Sequence, residues 1–128
     1  MRLQVNPEDI LRSVILEPGW YKAKIKDVVE EPTKRGDSTN YVVDFVVVSG
    51  PTQKDGRTPT GVPIRRYYSE KAPGFVIPLF KAFGVTFDGS KAVTVDFEGL
   101  KGKEVEVYVL NQRDPNQVMR NVAEDFRL

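Results

Sequence analysis

Residues 19–50, GWYKAKIKDVVEEPTKRGDSTNYVVDFVVVSG, decide the fold. Two apolar runs flank a polar loop that ends in Arg35-Gly36-Asp37-Ser38, and this pattern predicts a long antiparallel hairpin. In the first strand, over about 20–30, apolar residues 21, 23 and 25 alternate with three lysines, and successive side chains of a strand point to opposite faces. The second strand, 41–48, is apolar at almost every position, as in strands covered on both sides. We therefore expect a sheet with one buried face and one basic face.

The remaining strands are predicted from apolar alternation. They lie at residues 62–69, 103–110 and 117–126, with a further short strand at 92–97. Pro63 favours an edge position or a strand start, because proline cannot donate a ladder hydrogen bond. Alternation groups Arg65 with Tyr67 and Arg66 with Tyr68, so a guanidinium stands beside an aromatic ring whichever pair faces out.

Two short helices are also predicted. Asn6 and Pro7 are typical of a helix start and predict a helix over residues 7–14. Between Pro73 and Gly84 the apolar residues repeat every three or four positions, which predicts a helix over about 76–83. Residues 49–61 concentrate Gly, Pro, Thr and charge, so we expect an exposed, mobile loop that packs little.

The order of these elements favours one small fold class. Three strands, a helix and two strands, preceded by a short helix, predict an all-β protein with a small helical component: a five-stranded OB-fold Greek-key barrel with a helix between strands 3 and 4. We expect a single domain over residues 1–128, with 1–18 as an N-terminal extension. An SH3-like barrel and an open α+β sheet are compatible with the same order.

Composition constrains the function. The chain has 19 Lys+Arg and 18 Asp+Glu, so its net charge does not indicate a partner, although residues 19–36 and 51–75 are locally basic. It has no His and no Cys, which excludes the common zinc sites and nucleophilic systems built on either residue. We expect a binding protein without catalytic activity, metal or other cofactor. No run of about twenty apolar residues and no signal-peptide pattern are found, so we expect a cytoplasmic protein without membrane contact.

Several weak motifs occur in an order that carries a resemblance. They are PGWYKAKIKDVVEEPTKRGDSTNYVVDFVVVSG, a Gly- and Arg-containing loop ahead of RRYYSE, the PLFKAFG helix, and FEGLKGKEVEVYVL. This combination resembles, over residues 18–126, a phage-encoded family of single-stranded DNA-binding proteins that was long described as a family of unknown function. Many single-stranded DNA-binding proteins end in a disordered acidic tail that recruits partners, whereas this chain ends Ala-Glu-Asp-Phe-Arg-Leu.

The resemblance implies an OB-fold that acts in phage DNA replication or recombination in the host cytoplasm. It implies that aromatic and basic side chains on the barrel face hold single-stranded DNA with little sequence preference, and that phage or host replication and recombination proteins are partners. A homodimer is left open. Carried over position by position, the resemblance points to eight DNA-binding residues: Trp20, Lys22, Lys24, Lys34, Arg35, Arg65, Arg66 and Tyr67.

These candidates also have a purely structural interpretation. Lysines that alternate along a strand commonly form only the solvated face of a half-buried sheet. Trp20 follows a Pro-Gly turn, where a tryptophan often closes the end of a barrel, and Tyr67 and Tyr68 cannot both face outward. The alternative function is a protein-interaction or structural module on the same small barrel. The two functions differ in whether the basic residues of the first hairpin and the third strand converge.

Overall fold

Five antiparallel strands form a single sheet in the computed structural model, which describes residues 1–128. The strands are β1 (Gly19–Pro32), β2 (Thr39–Ser49), β3 (Pro63–Ser69), β4 (Glu104–Arg113) and β5 (Met119–Arg127). Their spatial order is β3-β2-β1-β4-β5, so β1 lies at the centre and β3 and β5 form the edges. The predicted five strands and mainly β architecture are confirmed.

Two short helices accompany the sheet. They are α1 (Pro7–Arg12) and α2 (Ile77–Ala82), and a 3-10 turn at Pro73–Val76 leads into α2. The backbone N–H of Asn6 donates to the Asp9 carboxylate, so the predicted start of α1 is confirmed. Leu79 and Phe80 on α2 are buried in the core, as the helical spacing predicts. Neither helix has the length and hydrophobicity needed to cross a lipid bilayer.

The core lies on the concave side of the curved sheet. Tyr21, Ala23 and Ile25 on β1 are all buried, which confirms the alternation read from the sequence. Phe45 on β2 stacks on Phe126 on β5, with ring centroids 5.6 Å apart, so the sheet curls until strands far apart in its order face each other. Two register shifts interrupt the β1–β2 pairing, and such irregularities increase local twist.

Barrel closure is the part of the fold prediction that is not confirmed. No backbone ladder joins β3 to β5, so the sheet is open between its two edges. A side chain spans the gap instead, because Arg66 Nη1 donates to the backbone carbonyl of Ala123 on β5 at 3.1 Å. The sheet is therefore a strongly curved, open structure whose edges are linked through a guanidinium.

The prediction of a short strand at 92–97 is wrong, since the structure has no strand there. Alternation occurs in this segment, but no strand pairs with it. Phe97 anchors the segment instead: its ring stacks on Tyr41 at 4.8 Å and contacts Phe80 edge-on at 5.0 Å. Aromatic packing therefore orders this connection without a backbone ladder.

The loop at 49–61 packs more closely than its composition predicts. Gln53 is buried, donates to the Tyr21 hydroxyl at 2.9 Å and accepts a hydrogen bond from the Glu17 backbone N–H at 2.8 Å. Pro59 is buried as well. The expectation that this loop has little means of packing is therefore wrong, because one amide side chain ties it to β1 and to the segment before β1. Its mobility stays a prediction.

The register fixes which side chains share the outer face of the sheet. On the half formed by β1, β2 and β3, here called the β2–β3 face, three cross-strand rows follow one another: Lys24–Val46–Pro63, Asp27–Asp44–Arg65 and Val29–Val42–Tyr67. The half formed by β1, β4 and β5 is here called the β4–β5 face. It has two neighbouring cross-strand rows, Trp20–Tyr108–Asp125 and Lys22–Glu106–Arg127. These rows place the candidate DNA-binding residues.

Candidate nucleic-acid interface

The structure divides the predicted DNA-binding residues between separate places. Trp20 and Lys22 lie on the β4–β5 face, whereas Arg65 and Tyr67 lie on the β2–β3 face. Tyr67 shares a row with Val29, nine positions beyond Trp20 on β1. At about 3.3 Å per residue this is roughly 30 Å along the strand. The two aromatic candidates therefore do not form one stacking platform.

Trp20 is engaged by side chains of its own face. Its ring packs edge-on against Tyr108 at 5.3 Å, and the Arg127 guanidinium carbon lies 4.0 Å from its centroid. Arg127 in turn donates to the Glu106 carboxylate at 2.7 Å. A tryptophan covered by a ring and a cation has little free surface for a base, so this arrangement matches the structural interpretation of Trp20.

Carboxylates also offset the basic charge of the β4–β5 face. Lys22 pairs with Glu104 at 3.4 Å, and Glu106 lies directly opposite Lys22 in the β1–β4 register. Lys24 is exposed and has no ion pair, although Glu104 lies directly opposite it on β4, and its row on the other side includes Val46 and Pro63 of the β2–β3 face. Of the predicted lysines on β1, Lys24 is therefore the one better placed to meet a phosphate.

A groove of about 820 Å³ runs beside β3 and collects the third-strand candidates. Its polar lining includes four cations, Arg12, Lys26, Arg65 and Arg120. The three carboxylates of Glu8, Asp27 and Asp44 also line it, so the net formal charge of its lining is only +1. Phe45, Val46 and Ile64 are among its apolar lining. We call this the β3 groove.

Tyr67 supplies the exposed ring of the β3 groove. Tyr67 is 52% exposed as a residue, whereas Tyr68 is 1% exposed in the core, so Tyr67 is the tyrosine of the pair that faces out. Val42, directly opposite Tyr67 on β2, is only 2% exposed although it faces outward. Its neighbours on this face must therefore cover it, and half of the Tyr67 side chain remains open to a ligand.

Arg65 stands beside Tyr67 and is held by an acid. Its Nε donates to Asp44 Oδ1 at 2.7 Å, with Nη2 at 3.5 Å from Oδ2. The hydrogen bond to Asp44, with a smaller contribution from Tyr67, raises the pKa of Arg65, so the guanidinium is fully charged at any physiological pH. The side chain is still 48% exposed, which leaves part of its donor fork open to solvent.

Arg66 faces the other way from Arg65. Besides its hydrogen bond to Ala123, its guanidinium lies 5.1 Å from the centroid of the Tyr68 ring. Burial raises the pKa of the Tyr68 hydroxyl well above its usual range, so this ring stays neutral beside the cation. Arg66 therefore links the sheet edges, and the structure does not bring it together with Arg65 and Tyr67.

Lys34 and Arg35 lie in the β1–β2 connection, at one end of the β2–β3 face. Both are exposed and neither has an ion pair, whereas the neighbouring Asp37 is bound by Lys71 at 3.0 Å. Because this connection starts beyond the Tyr67 row, its two free cations extend the face rather than the groove itself. A nucleic-acid strand bound along β2 and β3 would pass Tyr67 and then reach Lys34 and Arg35.

Three cations of the β3 groove were not among the sequence candidates. Arg12 comes from α1 and Arg120 from β5, and no sequence signal places either beside β3. Lys26 continues the alternation of Lys22 and Lys24, but the β1–β2 register skips it between Ile25 and Asp27. The bulge turns Lys26 toward the groove, and a bulge of this kind leaves no clear mark in the sequence.

A second cleft, of about 340 Å³, has the opposite electrostatic character. Apolar residues that include Val28, Tyr41 and Phe97 line it together with four carboxylates, those of Glu30, Glu70, Asp96 and Glu98. No Lys or Arg lines it. A cleft of this charge repels phosphate, so it does not compete with the β3 groove as a nucleic-acid site.

No model of a known protein family matches this sequence, and no curated protein matches it either.

Proposed function

We propose that this protein binds single-stranded DNA in the β3 groove, with little preference for sequence. The observation that carries the proposal is the half-exposed ring of Tyr67 beside the Arg65 guanidinium, in a groove that also contains Arg12, Lys26 and Arg120. Proteins that bind single strands combine a basic groove, which follows the phosphates, with rings on which bases stack. A duplex hides its base faces, so this combination favours a single strand.

We propose further that the sheet is a partly open OB-fold barrel. Two features support this: β1 pairs with both β2 and β4, and Arg66 joins the edge strands β3 and β5. In an OB-fold the face of strands 2 and 3, with the β1–β2 and β4–β5 loops, binds oligonucleotides. Tyr67, Arg65, Lys34 and Arg35 occupy that face and the first of those loops.

The proposed role is binding without catalysis, in phage DNA replication or recombination. This assignment comes from the resemblance of the sequence motifs. The lack of His and Cys supports the non-catalytic part, because the commonest nucleophile systems and zinc sites need them.

Mapping the bound strand by nuclear magnetic resonance tests the location. On titration with unlabelled oligo-dT, the amide signals of residues 40–46 and 64–69 should shift most, with those of Lys26 and Arg120. Residues 104–108 on the β4–β5 face serve as the internal control and should shift little. Shifts concentrated around Trp20 and Tyr108 would place the strand on the other face and overturn the proposal.

A protein-interaction module is the second candidate function. The observation that favours it is the acidic cleft, where the stacked rings of Tyr41 and Phe97 lie among four carboxylates. Such a lining complements a basic peptide, because rings and carboxylates both attract cations. In the same titration, a protein with this function alone shows no shifts with oligo-dT at any concentration.

A further inference from the structure

The Asp44–Arg65 pair places an acid where a phosphate would bind. Asp44 lies on the outer face of β2, in the same row as Arg65, and its carboxylate receives the Arg65 Nε–H at 2.7 Å. Both side chains line the β3 groove. A guanidinium binds carboxylate and phosphate oxygens through the same N–H fork. In the free protein, part of that fork on Arg65 is therefore already occupied.

The position of Asp44 is poorly explained by sheet stability. Asp27 on β1 lies directly opposite Asp44, and like charges facing each other across a strand pair are destabilising. Each acid is neutralised by a cation: Lys101 approaches Asp27 at 3.3 Å, and Arg65 approaches Asp44. Partly exposed ion pairs of this kind contribute little to stability, an amount similar in size to the repulsion they offset, so Asp44 gives the sheet little net stability.

We propose that Asp44 is an internal competitor for DNA phosphate at Arg65, and so lowers the affinity of the β3 groove for single strands. This inference rests on the proposed function. A phosphate that binds Arg65 replaces the Asp44 carboxylate, whose charge then faces both the phosphate and Asp27. When the strand dissociates, the Asp44 carboxylate takes the place of the phosphate at Arg65. Dissociation therefore restores the Asp44–Arg65 ion pair. Asp44 thereby lowers the free-energy cost of releasing the strand.

The Asp44→Asn variant tests this competition. The substitution keeps the shape of the side chain and removes its charge, so we expect it to raise the affinity for oligo-dT about threefold to tenfold, the range for loss of an ion pair and of one repulsive charge. Arg65 contacts the same single phosphate with or without Asp44, so the log–log salt slope should change by less than about 0.7, the value for one phosphate contact. Binding is measured by fluorescence anisotropy of a labelled oligonucleotide.

A double-mutant cycle separates competition from a general gain in charge. In the Arg65→Gln background, Asp44→Asn should change the affinity by less than about twofold, because there is no Arg65 guanidinium left for Asp44 to occupy. Glu106→Gln is the matched control: it also removes a carboxylate that accepts an arginine hydrogen bond at 2.7 Å, but on the β4–β5 face. We expect it to leave the affinity nearly unchanged. Asp44→Ser, which also removes the carboxylate, is measured in parallel as a second test of the same change. Melting curves verify that all variants fold.

The outcomes distinguish this inference from the proposed function. If the wild-type protein binds and Asp44→Asn binds equally or more weakly, Asp44 is not a competitor, although the protein still binds DNA. An equal gain from Glu106→Gln, or an undiminished gain in the Arg65→Gln background, also overturns the inference. Weakened binding by Asp44→Asn for one base composition alone would instead assign Asp44 to base recognition. If neither the wild type nor Asp44→Asn binds, both proposals fail.

Discussion

Replacing Tyr67 by Ala removes the one half-exposed ring of the β3 groove without changing its charge. Tyr67 is 52% exposed, so about half of the residue's surface is available to a base. Stacking of a base on an aromatic side chain contributes about 1–3 kcal/mol, and for a half-covered ring we expect the lower part, about 1–2 kcal/mol. At about 1.4 kcal/mol per factor of ten, Tyr67→Ala should weaken oligo-dT binding about fivefold to thirtyfold.

The assay is anisotropy of a labelled oligonucleotide, repeated over a range of salt concentrations. Because a ring releases no counterions, Tyr67→Ala should leave the salt slope unchanged, and Tyr67→Phe should bind nearly as the wild type does. Tyr108→Ala, on the β4–β5 face, is the control for loss of an outward tyrosine. The reasoning is refuted if Tyr67→Ala binds normally while Tyr108→Ala binds weakly.

Three other predictions concern charge and packing. Oligo-dT binding should weaken steeply with salt, and Arg65→Glu should reduce the log–log slope by about 0.7, one phosphate contact; an unchanged slope would remove Arg65 from the interface. Gln53→Ala should lower the free energy of unfolding by about 1–3 kcal/mol in a urea titration, because it leaves the Tyr21 hydroxyl without its Gln53 donor and the Glu17 N–H without an acceptor. Gly50→Ala should lower the free energy of unfolding by about 1–3 kcal/mol, since the added methyl group would overlap the buried Tyr21 ring. Wild-type stability of Gln53→Ala or of Gly50→Ala would show that the 49–61 loop is not anchored at Tyr21.

The sequence predicts the local features of this fold well. The apolar alternation of β1 and the helical spacing of α2 both identify side chains that the structure buries, including Ile25 and Phe80. These predictions succeed because a strand and a helix each impose a fixed period on their own residues. The buried face of the sheet therefore follows from neighbouring residues alone.

The candidate site depends on contacts that no local pattern contains. Lys22 faces acids because β4 pairs with β1, and Lys26 turns toward the groove because a bulge shifts the register. Arg66 was a binding candidate from its sequence neighbours, yet the approach of β5 gives it a structural partner. Net charge and apolar alternation do not predict contacts between strands, such as β3 and β5, that meet only because the sheet curls.

A competition between single and double strands tests whether the protein binds exposed bases as well as phosphates. At moderate salt, the protein should bind oligo-dT at least about fivefold more tightly than a duplex of the same length, because even one stacked base contributes about 1–3 kcal/mol that a duplex cannot offer. The measurement is displacement of a labelled oligo-dT by unlabelled single strand or duplex. Equal displacement by the two competitors, or no binding to either, would contradict the proposed function.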